Sequence, residues 1–451
     1  MLITTTYYFL SSLELRCQNA SRSAYIKAKE CLIDYLGVTL AGSAMMSEKE
    51  RELLQSQVSS DGCHVLGTSI MVPINMAALM NGINAHVIEL DDGHRRGAVH
   101  VGGTVFSALM AVADKEGLSS QDFLRGAIVG YEATIRLACA VQPGNKLRGY
   151  HATGTCGTVG AALGIAAALH YTKEQMNTTL AAAVTSAAGV LEMQEDDSDL
   201  KPYNVGRAAM DAVAAAYMGR TGLKGPKDAL GGKRGFLKVM TDEPHLEYLT
   251  ECSGDTLCIE QIYQKVYAAC RHAHPAIEAA LALRDKIAIE DIDEIVVETY
   301  RLAVAGHDHT AVSGVSSAKM SIPFSVAVAL VTGNAGLTAF TEKTIINEMI
   351  LNLAQKVRVV ENGELTTLSP DKRASILTIK TKNGTFSKRV DYPKGEPENP
   401  LTQQELEAKF RELVMYGGLS MSECDEIINE VWKEDFDLKK IIRTVNGTTR
   451  Q

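Results

Sequence analysis

The chain has 451 residues, of which 46% are hydrophobic and 22% are charged, and its net charge is -9. This length and composition are typical of a globular protein with two domains, and they exclude a disordered or fibrous class. The acidic balance argues against a nucleic-acid-binding protein or one held on anionic membranes, so an anionic ligand requires a locally basic pocket.

The nine cysteines are scattered along the chain without a C-x-x-C pair. This spacing favours reduced thiols, a cytoplasmic location and no iron–sulfur cluster. The N-terminal segment has no basic start and carries Glu14 among its apolar residues, so we expect no signal peptide. Since no uninterrupted apolar run reaches about 18 residues, we also expect no membrane span.

Apolar residues at three- and four-residue spacing predict helices from Ser21 to about Tyr267. Within this part, segments rich in alanine and glycine predict close packing between helices. These segments are Thr158 to Leu169, Leu180 to Val190 and Gly206 to Met218. The helical pattern resumes at Gln403 to Arg443, where Thr402 and Glu405 have the spacing of a capping box.

Short β-branched runs replace the helical pattern after about Ile287, and Asn383-Gly384 predicts a hairpin between two of them. The predicted strands are Asp293 to Tyr300, Val357 to Val360, Ile376 to Thr381 and Phe386 to Val390. We therefore expect a mainly α fold, with a large all-helical domain built from both chain ends and a smaller α+β lid domain. The predicted limits are 1–268 and 396–451 for the helical domain and 269–395 for the lid.

The segment from Glu89 to His100 holds three carboxylates, two arginines and two histidines between apolar segments. A solvated loop often has this composition. However, His151 before a glycine-rich helix start and Lys201 before Pro202 repeat the same residue types, as a composite active site requires. Histidine can carry protons near neutral pH. A lysine at a helix start indicates an anion site, although an exposed lysine fits the pattern equally well.

A third group of polar residues lies in the run from Lys265 to Pro275, where a short apolar stretch is surrounded by cationic side chains that need partners if they are buried. His272 with His274, and His307 with His309, are possible metal ligands. Neither pair has a cysteine or carboxylate at a zinc-ligand spacing, so we expect no metal centre. Motifs of serine hydrolases, P-loops and dinucleotide-binding folds are missing, so no nucleotide cofactor is expected.

Several of these residues belong to short motifs that follow one another over nearly the whole chain. The motifs are Asn81-Gly82, His86 to Asp92 with His100, His151 with Thr153, Lys201-Pro202 with Gly206 to Ala209, Lys265 with His274, and Pro393 to Pro400 before Lys409-Phe410. In this order they resemble the MmgE/PrpD family, which contains 2-methylcitrate dehydratases, cis-aconitate decarboxylases and iminodisuccinate epimerases. The resemblance implies a helical domain and an α+β lid with a cofactor-free active site between them, in a homodimer.

The resemblance also implies which residues form the site. The expected catalytic residues are Asp91, His100, His151, Lys201 and Lys265. The expected substrate-binding residues are Glu89, Asp92, Arg271, His274 and Phe324, and no metal ligand is expected.

Two positions depart from the family pattern. Glu89 stands where the family commonly has aspartate, and Phe324 stands where a decarboxylase-like member has tyrosine. A cluster of carboxylates also precedes Lys201, and it would repel a polyanion unless it faces away from the pocket. The cluster consists of Glu192, Glu195, Asp196, Asp197 and Asp199.

We therefore expect a cofactor-independent lyase that removes a proton α to a carboxylate of a small di- or tricarboxylic acid, with loss of water. Lys201 and Lys265 would neutralise carboxylates and the developing enolate, His100 and His151 would act as base and acid, and Asp91 would orient a histidine. The alternatives are an epimerase of an amino- or imino-dicarboxylate, with the acidic cluster facing a nitrogen cation, a cis-aconitate decarboxylase, and a catalytically silent scaffold dimer. We expect a cytoplasmic homodimer without nucleic-acid or membrane partners.

Overall fold

The computed structural model describes residues 4–194, 198–250 and 256–447. The chain divides into two compact units. The first comprises the described residues of Met1–Gln194, Leu200–Ile262 and Thr402–Gln451, and the second those of Glu195–Asp199 and Tyr263–Leu401. The prediction of a mainly α fold with a smaller α+β part is confirmed. The residue limits predicted for the two domains stay a prediction.

The first unit begins with twelve α-helices in its described residues. They are α1 Thr5–Gln18, α2 Arg22–Ala44, α3 Glu48–Ser56, α4 Ile74–His86, α5 Gly102–Glu116, α6 Ser120–Val141, α7 Gly144–Leu147, α8 Ala152–Ala168, α9 Lys173–Ser186, α10 Lys201–Gly219, α11 Phe236–Met240 and α12 Glu247–Thr250. Two short 3-10 helices lie at Leu191–Gln194 and Cys258–Gln261. One small departure from an all-helical unit is the antiparallel pair of β1 Cys63–His64 with β2 Met71–Val72.

The second unit contains a four-stranded sheet and seven α-helices in its described residues. The strands are β3 Ile292–Thr299, β4 Val357–Glu361, β5 Ser375–Thr381 and β6 Gly384–Val390. The helices are α13 His274–Leu283, α14 Arg301–Val304, α15 Val315–Met320, α16 Ile322–Thr332, α17 Glu342–Ile345, α18 Glu348–Ala354 and α19 Gly363–Leu368. Short 3-10 helices lie at Arg271–Ala273, Arg284–Lys286, Ile289–Asp291 and Leu337–Ala339.

The sheet order is β4-β3-β5-β6, with β3 parallel to β4 and antiparallel to β5. All four strands predicted from β-branched runs are confirmed within a few residues. The predicted hairpin is confirmed as well, because Thr381 of β5 pairs with Gly384 of β6 across a two-residue turn. Buried and less buried residues alternate along β3 and β5, and α13 and α16 pack against this sheet.

Three helices return the chain to the first unit: α20 Gln403–Tyr416, α21 Met421–Val431 and α22 Leu438–Asn446. The predicted capping box is confirmed, since the backbone N–H of Glu405 donates to Thr402 Oγ1 and the backbone N–H of Thr402 donates to Glu405 Oε2. Lys409 in α20 contacts Asp34 in α2, where Nζ lies 2.6 Å from Oδ1, and Nζ also donates to the carbonyl oxygen of Leu90 at 3.0 Å. Through Lys409, α20 therefore helps to hold the acidic motif in place.

Glycines let two helices of the first unit cross at very short distance. A Cβ atom added to Gly82 in α4 would lie 2.6 Å from the Cα atom of Gly206 in α10. A side chain at either position would push the helices apart, because a packed interior has no room for it. Since α4 ends at His86 and α10 begins at Lys201, this crossing fixes the spacing between those two side chains.

Four helix ends meet in the first unit: the last residue of α4 and the first turns of α5, α8 and α10. The backbone N–H of His100, just before α5, donates to Thr153 Oγ1 in α8 at 3.1 Å. Nδ2 of Asn204 in α10 lies 3.5 Å from Nδ1 of His151, the residue before α8. The N-terminal ends of three helices therefore lie together, and their partial positive charges favour an anion.

Among the residues that the structure describes, no single helix is long and apolar enough to cross a membrane. One bent pair, Ile322–Thr332 with Leu337–Ile345, is long and apolar enough when its two helices are taken together.

Candidate active site

Asp91 lies between two imidazole rings in the first unit. Its Oδ2 atom is 2.9 Å from Nδ1 of His86 and 3.1 Å from Nδ1 of His100. The two rings meet edge to face, with centroids 4.6 Å apart. Burial opposes ionisation of this carboxylate, but the two imidazoles outweigh it and hold the pKa of Asp91 well below its usual range. Asp91 is therefore a permanent anion that orients both histidines.

The tautomer of His100 follows from its neighbours. Nδ1 faces two acceptors, Oδ2 of Asp91 and the backbone carbonyl oxygen of Asp92 at 3.1 Å. Neither acceptor can donate, so Nδ1 carries the hydrogen and the lone pair of a neutral ring lies on Nε2. A carboxylate behind one nitrogen and a lone pair on the other is the arrangement of a general base.

Asp92 is turned into the interior and caps the start of α5. Its Oδ1 accepts the backbone N–H of Gly102 at 2.8 Å, and its Oδ2 accepts the hydroxyl of Tyr131 at 2.5 Å. Burial raises the pKa of Asp92 to about 6, although both hydrogen bonds act in the opposite direction. The structure thus gives this carboxylate a positioning role, and its predicted contact with substrate stays a prediction.

Glu89 and Lys201 form an ion pair between Oε1 and Nζ. Glu89 adopts a left-handed backbone conformation, with φ of 57°, which is strained for a residue other than glycine. The same Oε1 atom is 3.5 Å from Nε2 of His86. The lysine at the start of α10 therefore has a carboxylate partner already, and an anionic substrate would compete with Glu89 for it.

His151 precedes α8 and is buried beside the cationic end of the site. Burial lowers the pKa of His151 well below its usual value, and the nearby Lys201, His100 and His86 lower it further, while Glu89 opposes them. The ring is therefore neutral at physiological pH. Because Nδ1 faces the Asn204 amide nitrogen, which donates, the ring hydrogen lies on Nε2.

The second unit holds the other sequence-predicted residues. Lys265, Arg271 and His274 are buried. Burial lowers the pKa of His274 well below its usual value, and the charges of Arg271 and Lys265 lower it further. Its Nε2 lies 3.2 Å from the carbonyl oxygen of Ala269, so this histidine is a neutral donor to backbone. These three residues form one polar group inside the second unit.

Arg271 has a buried carboxylate partner, since Nη2 contacts Oε1 of Glu396. Phe324 is fully buried, and its ring centroid lies 6.1 Å from that of Phe340. Substrate contacts at Arg271, His274 and Phe324 therefore stay predictions.

The acidic cluster before Lys201 is only partly described. Glu192 and Asp199 are exposed, and Oδ1 of Asp199 accepts the hydroxyl of Ser316 at 2.7 Å within the second unit. Glu195, Asp196 and Asp197 lie outside the described residues. Whether the cluster faces a ligand therefore stays a prediction.

One group in the first unit has the ligand types of a metal site. Single ligand atoms of His86, Glu89 and His100 all lie within 4.8 Å of one another. Imidazole and carboxylate ligands suit zinc. The same atoms are equally suited to proton transfer. Lys201 already pairs with Glu89, and Asp91 already orients the imidazole rings of His86 and His100.

Sequence reasoning assigned no role to His86, Tyr131 or Asn204. His86 is the first residue of the motif from His86 to Asp92, and its position five residues before Asp91 was the available signal. Tyr131 and Asn204 gave no such signal, because no neighbouring residue in the sequence indicates a contact. Only the fold places Tyr131 beside Asp92 and Asn204 beside His151.

Comparison with known proteins finds similarity over most of the chain. The MmgE/PrpD N-terminal domain matches residues 12–249, and the MmgE/PrpD C-terminal domain matches residues 267–434. A cis-aconitate decarboxylase-like protein of Aspergillus oryzae is 25% identical over 427 residues, covering 89% of this chain and 88% of the relative. The cis-aconitate decarboxylase of Homo sapiens is 25% identical over 410 residues, covering 85% and 82%. A probable 2-methylcitrate dehydratase of Saccharomyces cerevisiae is 28% identical over 233 residues, covering 47% and 45%.

Proposed function

The chain belongs to the MmgE/PrpD family, and from this premise we propose that it is a lyase acting on a small di- or tricarboxylic acid. We further propose that the reaction begins with removal of a proton α to a carboxylate and ends with loss of water, without a cofactor. Relatives named as decarboxylases and as a dehydratase support the lyase class. The geometry of the first unit supports the proton-transfer chemistry.

A single observation carries the proposal: the ionised Asp91 is shared by His86 and His100. Because the carboxylate accepts the Nδ1 hydrogen of His100, it stabilises the imidazolium that forms when Nε2 takes a proton. A positioned base of this kind contributes about 10²–10⁴-fold to a rate. We assign His100 as the base for this reason.

We assign His151 to the leaving group, because its neutral ring carries on Nε2 a hydrogen that it can donate as a hydrogen bond to the departing oxygen. In the proposed step, His100 takes the proton from carbon, the C–H electron pair forms a carbon–carbon double bond, and the C–O bond of the neighbouring hydroxyl breaks. The Nε2–H of His151 donates a hydrogen bond to that oxygen as it leaves, and the proton that His100 took from carbon reaches the departing hydroxide through solvent, so that water is released. The products are an unsaturated carboxylic acid and water.

Lys201 supplies the charge that this step requires. The acidity of a C–H bond beside a carboxylate is low, and a cation next to that carboxylate stabilises the developing enolate. Since Glu89 already holds the ammonium group, substrate binding would exchange one carboxylate for another at Lys201. The corresponding role of Lys265 stays a prediction of the family resemblance.

Decarboxylation is the second candidate, and the relatives favour it. Proteins named as cis-aconitate decarboxylases match more than four fifths of this chain, whereas the named dehydratase matches about half. In that reaction the bond to a carboxylate breaks, carbon dioxide leaves, and an acid protonates the remaining carbanion. The family resemblance implies a tyrosine at the position of Phe324 in decarboxylase-like members, and for this reason we rank decarboxylation below dehydration.

The test is a panel of di- and tricarboxylic acids incubated with the protein in deuterated water and followed by NMR. Dehydration converts a hydroxy acid into an alkene. In the reverse reaction, a deuteron from solvent enters the carbon that lost its proton. An inverted centre without an alkene would establish the epimerase instead, and loss of carbon dioxide would establish the decarboxylase. A protein that binds none of the acids and exchanges no C–H would contradict the proposed lyase and support the silent scaffold.

Treatment with a chelator distinguishes metal-free proton transfer from metal-dependent catalysis at the same site. We expect C–H exchange to persist after treatment with a chelator, because no metal takes part in the proposed step. Loss of exchange, with recovery on adding zinc, would assign His86, Glu89 and His100 as ligands instead. The homodimer and the cytoplasmic location stay predictions, and light scattering of the purified protein tests the first.

A further inference from the structure

A second cluster of metal-binding side chains lies in the second unit. Cys270, His272 and His307 each offer one ligand atom, and these atoms lie within 4.8 Å of one another. Sγ of Cys270 is 3.9 Å from Nε2 of His307, and the two imidazole rings stack with centroids 4.9 Å apart. All three side chains are only partly buried, so a bound ion would keep access to solvent.

The backbone fixes the tautomer of His307. Its Nδ1 lies 3.0 Å from the carbonyl oxygen of Met320, and a carbonyl can only accept. Nδ1 therefore carries the hydrogen, and in the neutral ring the lone pair lies on Nε2, on the side of Cys270. Metal-binding histidines usually donate their other ring nitrogen to a carbonyl or carboxylate in this way.

The same short segment holds both Cys270 and His307 in place. The backbone N–H of Cys270 donates to the carbonyl oxygen of Lys319 at 2.8 Å, and the backbone N–H of Ile322 donates to the carbonyl oxygen of His307 at 2.8 Å. Residues that are far apart in sequence are thus fixed to the junction between α15 and α16. A site on a rigid framework loses little entropy when an ion binds.

His272 is oriented by Tyr300, whose hydroxyl lies 2.5 Å from Nδ1. A phenol can accept as well as donate. When it accepts the Nδ1 hydrogen, the lone pair of His272 lies on Nε2, as metal ligation requires.

We propose that Cys270, His272 and His307 bind one thiophilic divalent ion of the zinc class, with water as the fourth ligand. In a tetrahedral zinc site, bonds of about 2.0–2.3 Å place neighbouring sulfur and nitrogen ligands about 3.5 Å apart. The observed separation of 3.9 Å between Cys270 and His307 is within a few tenths of an ångström of that value. Small side-chain rotations would complete the site.

The surrounding charges determine which ions fit. The positive charges of Arg373 and Arg271 act on Tyr300, the partner of His272. They oppose any dication, so binding depends on the affinity of the sulfur and imidazole ligands themselves. Hard cations such as Mg²⁺ and Ca²⁺ gain nothing from sulfur and imidazole, so the site should reject them.

This cluster also explains why the sequence favoured no metal centre. The histidines were paired by local spacing, His272 with His274 and His307 with His309, whereas the fold pairs His272 with His307 and adds Cys270. His274 and His309 both face backbone carbonyls instead. The metal site does not rest on the proposed lyase activity, and the ion takes no part in the proposed reaction.

The experiment is a cobalt titration of the full-length protein, reduced with a phosphine, stripped with a chelator and then desalted. We expect one equivalent of Co²⁺ to produce a thiolate-to-cobalt charge-transfer band together with the visible bands of a tetrahedral ion. Zn²⁺ should displace both, and Mg²⁺ should not. No charge-transfer band in the wild-type protein would overturn the proposal.

Variants identify the ligands. Cys270→Ser should abolish the charge-transfer band, and His272→Gln and His307→Gln should each weaken Co²⁺ binding at least tenfold. The matched controls, Cys258→Ser and His309→Gln, should bind as the wild type does. Circular dichroism checks that each variant is folded, and if Cys270→Ser is not, the two histidine variants still decide. A band that survives in Cys270→Ser, or binding unchanged in both histidine variants, would refute the three-residue site.

Discussion

His86 and Asp91 form a buried hydrogen-bonded pair, with Nδ1 of the histidine 2.9 Å from Oδ2 of the aspartate. Burial alone would raise the pKa of Asp91 and favour its neutral form. The two imidazoles lower this pKa by a larger amount, so the carboxylate remains an anion. His100 shares the same oxygen. His86 therefore acts as a positioning residue, through Asp91, on the histidine that we assign as the base.

Replacing His100 or His151 by alanine should lower turnover by about 10²–10⁴-fold, because His100 is assigned the proton transfer and His151 the hydrogen bond to the leaving oxygen. The melting temperature should change little. His100 is partly exposed, and the side chain of His151 makes no capping hydrogen bond to α8. His245→Ala, at an exposed histidine, is the control. Near-wild-type kcat in either site variant would show that its assignment is wrong.

The pKa of His151 should respond in opposite directions to two neighbouring substitutions. Lys201→Met removes a cation that lowers this pKa, so the pKa should rise. Glu89→Gln removes an anion that raises it, so the pKa should fall. Histidine NMR titration measures both, with His151→Ala to identify the signal. Shifts of the same sign in the two variants would contradict the electrostatic environment described for His151.

Asp92 should make the protein less stable as pH rises. Its folded pKa of about 6 lies above the ordinary value of 3.8, so between these values the folded chain binds more protons than the unfolded chain. The stabilisation is complete below the lower value and is lost as pH rises through the upper one. Relative to Asp92→Asn, the wild type should therefore lose about 1 kcal/mol between about pH 5 and about pH 7.5.

Thermal melting at several pH values measures this loss: the Tm of the wild type minus the Tm of Asp92→Asn should fall as pH rises. Asp285→Asn, the same replacement at an exposed aspartate, provides the control. If the Tm of the wild type minus that of Asp92→Asn stays constant or rises with pH, Asp92 is ionised throughout in the folded protein.

Local sequence patterns predicted the helices, the four strands of the second unit and the hairpin, because each depends on residues close in the chain. The alanine- and glycine-rich segments predicted close helix packing, and the crossing of Gly82 with Gly206 confirms it. The two-residue strands β1 and β2 could not be predicted, since a pair this short has no periodicity to detect.

The site was harder to predict than the fold because its partners are distant in sequence. Lys201 indicated an anion site at a helix start, but only the fold shows that Glu89 is the carboxylate next to it. His272 and His307 were paired with the wrong neighbours for the same reason. Tautomers are likewise set by groups such as the Met320 carbonyl, which no side-chain pattern reveals.

Phe324 bears on decarboxylation of cis-aconitate, the reaction named for several relatives, because the family resemblance implies a tyrosine at this position in decarboxylase-like members. Phe324 is fully buried and packs near Phe340 in the second unit, and it cannot donate the proton that a tyrosine would offer to a carbanion. A missing hydrogen-bond partner in a buried site costs about 1–3 kcal/mol. We therefore expect cis-aconitate to be decarboxylated slowly or not at all, with chromatography measuring itaconate from the purified protein.

Phe324→Tyr tests whether the hydroxyl is the missing element. If it finds a partner and reaches the substrate, itaconate formation should rise while the melting temperature holds. If it is buried without a partner, the melting temperature should fall and itaconate should not increase. Efficient itaconate formation by the wild-type protein would show that the phenol is unnecessary here, and decarboxylation would then replace dehydration as the reaction of this site.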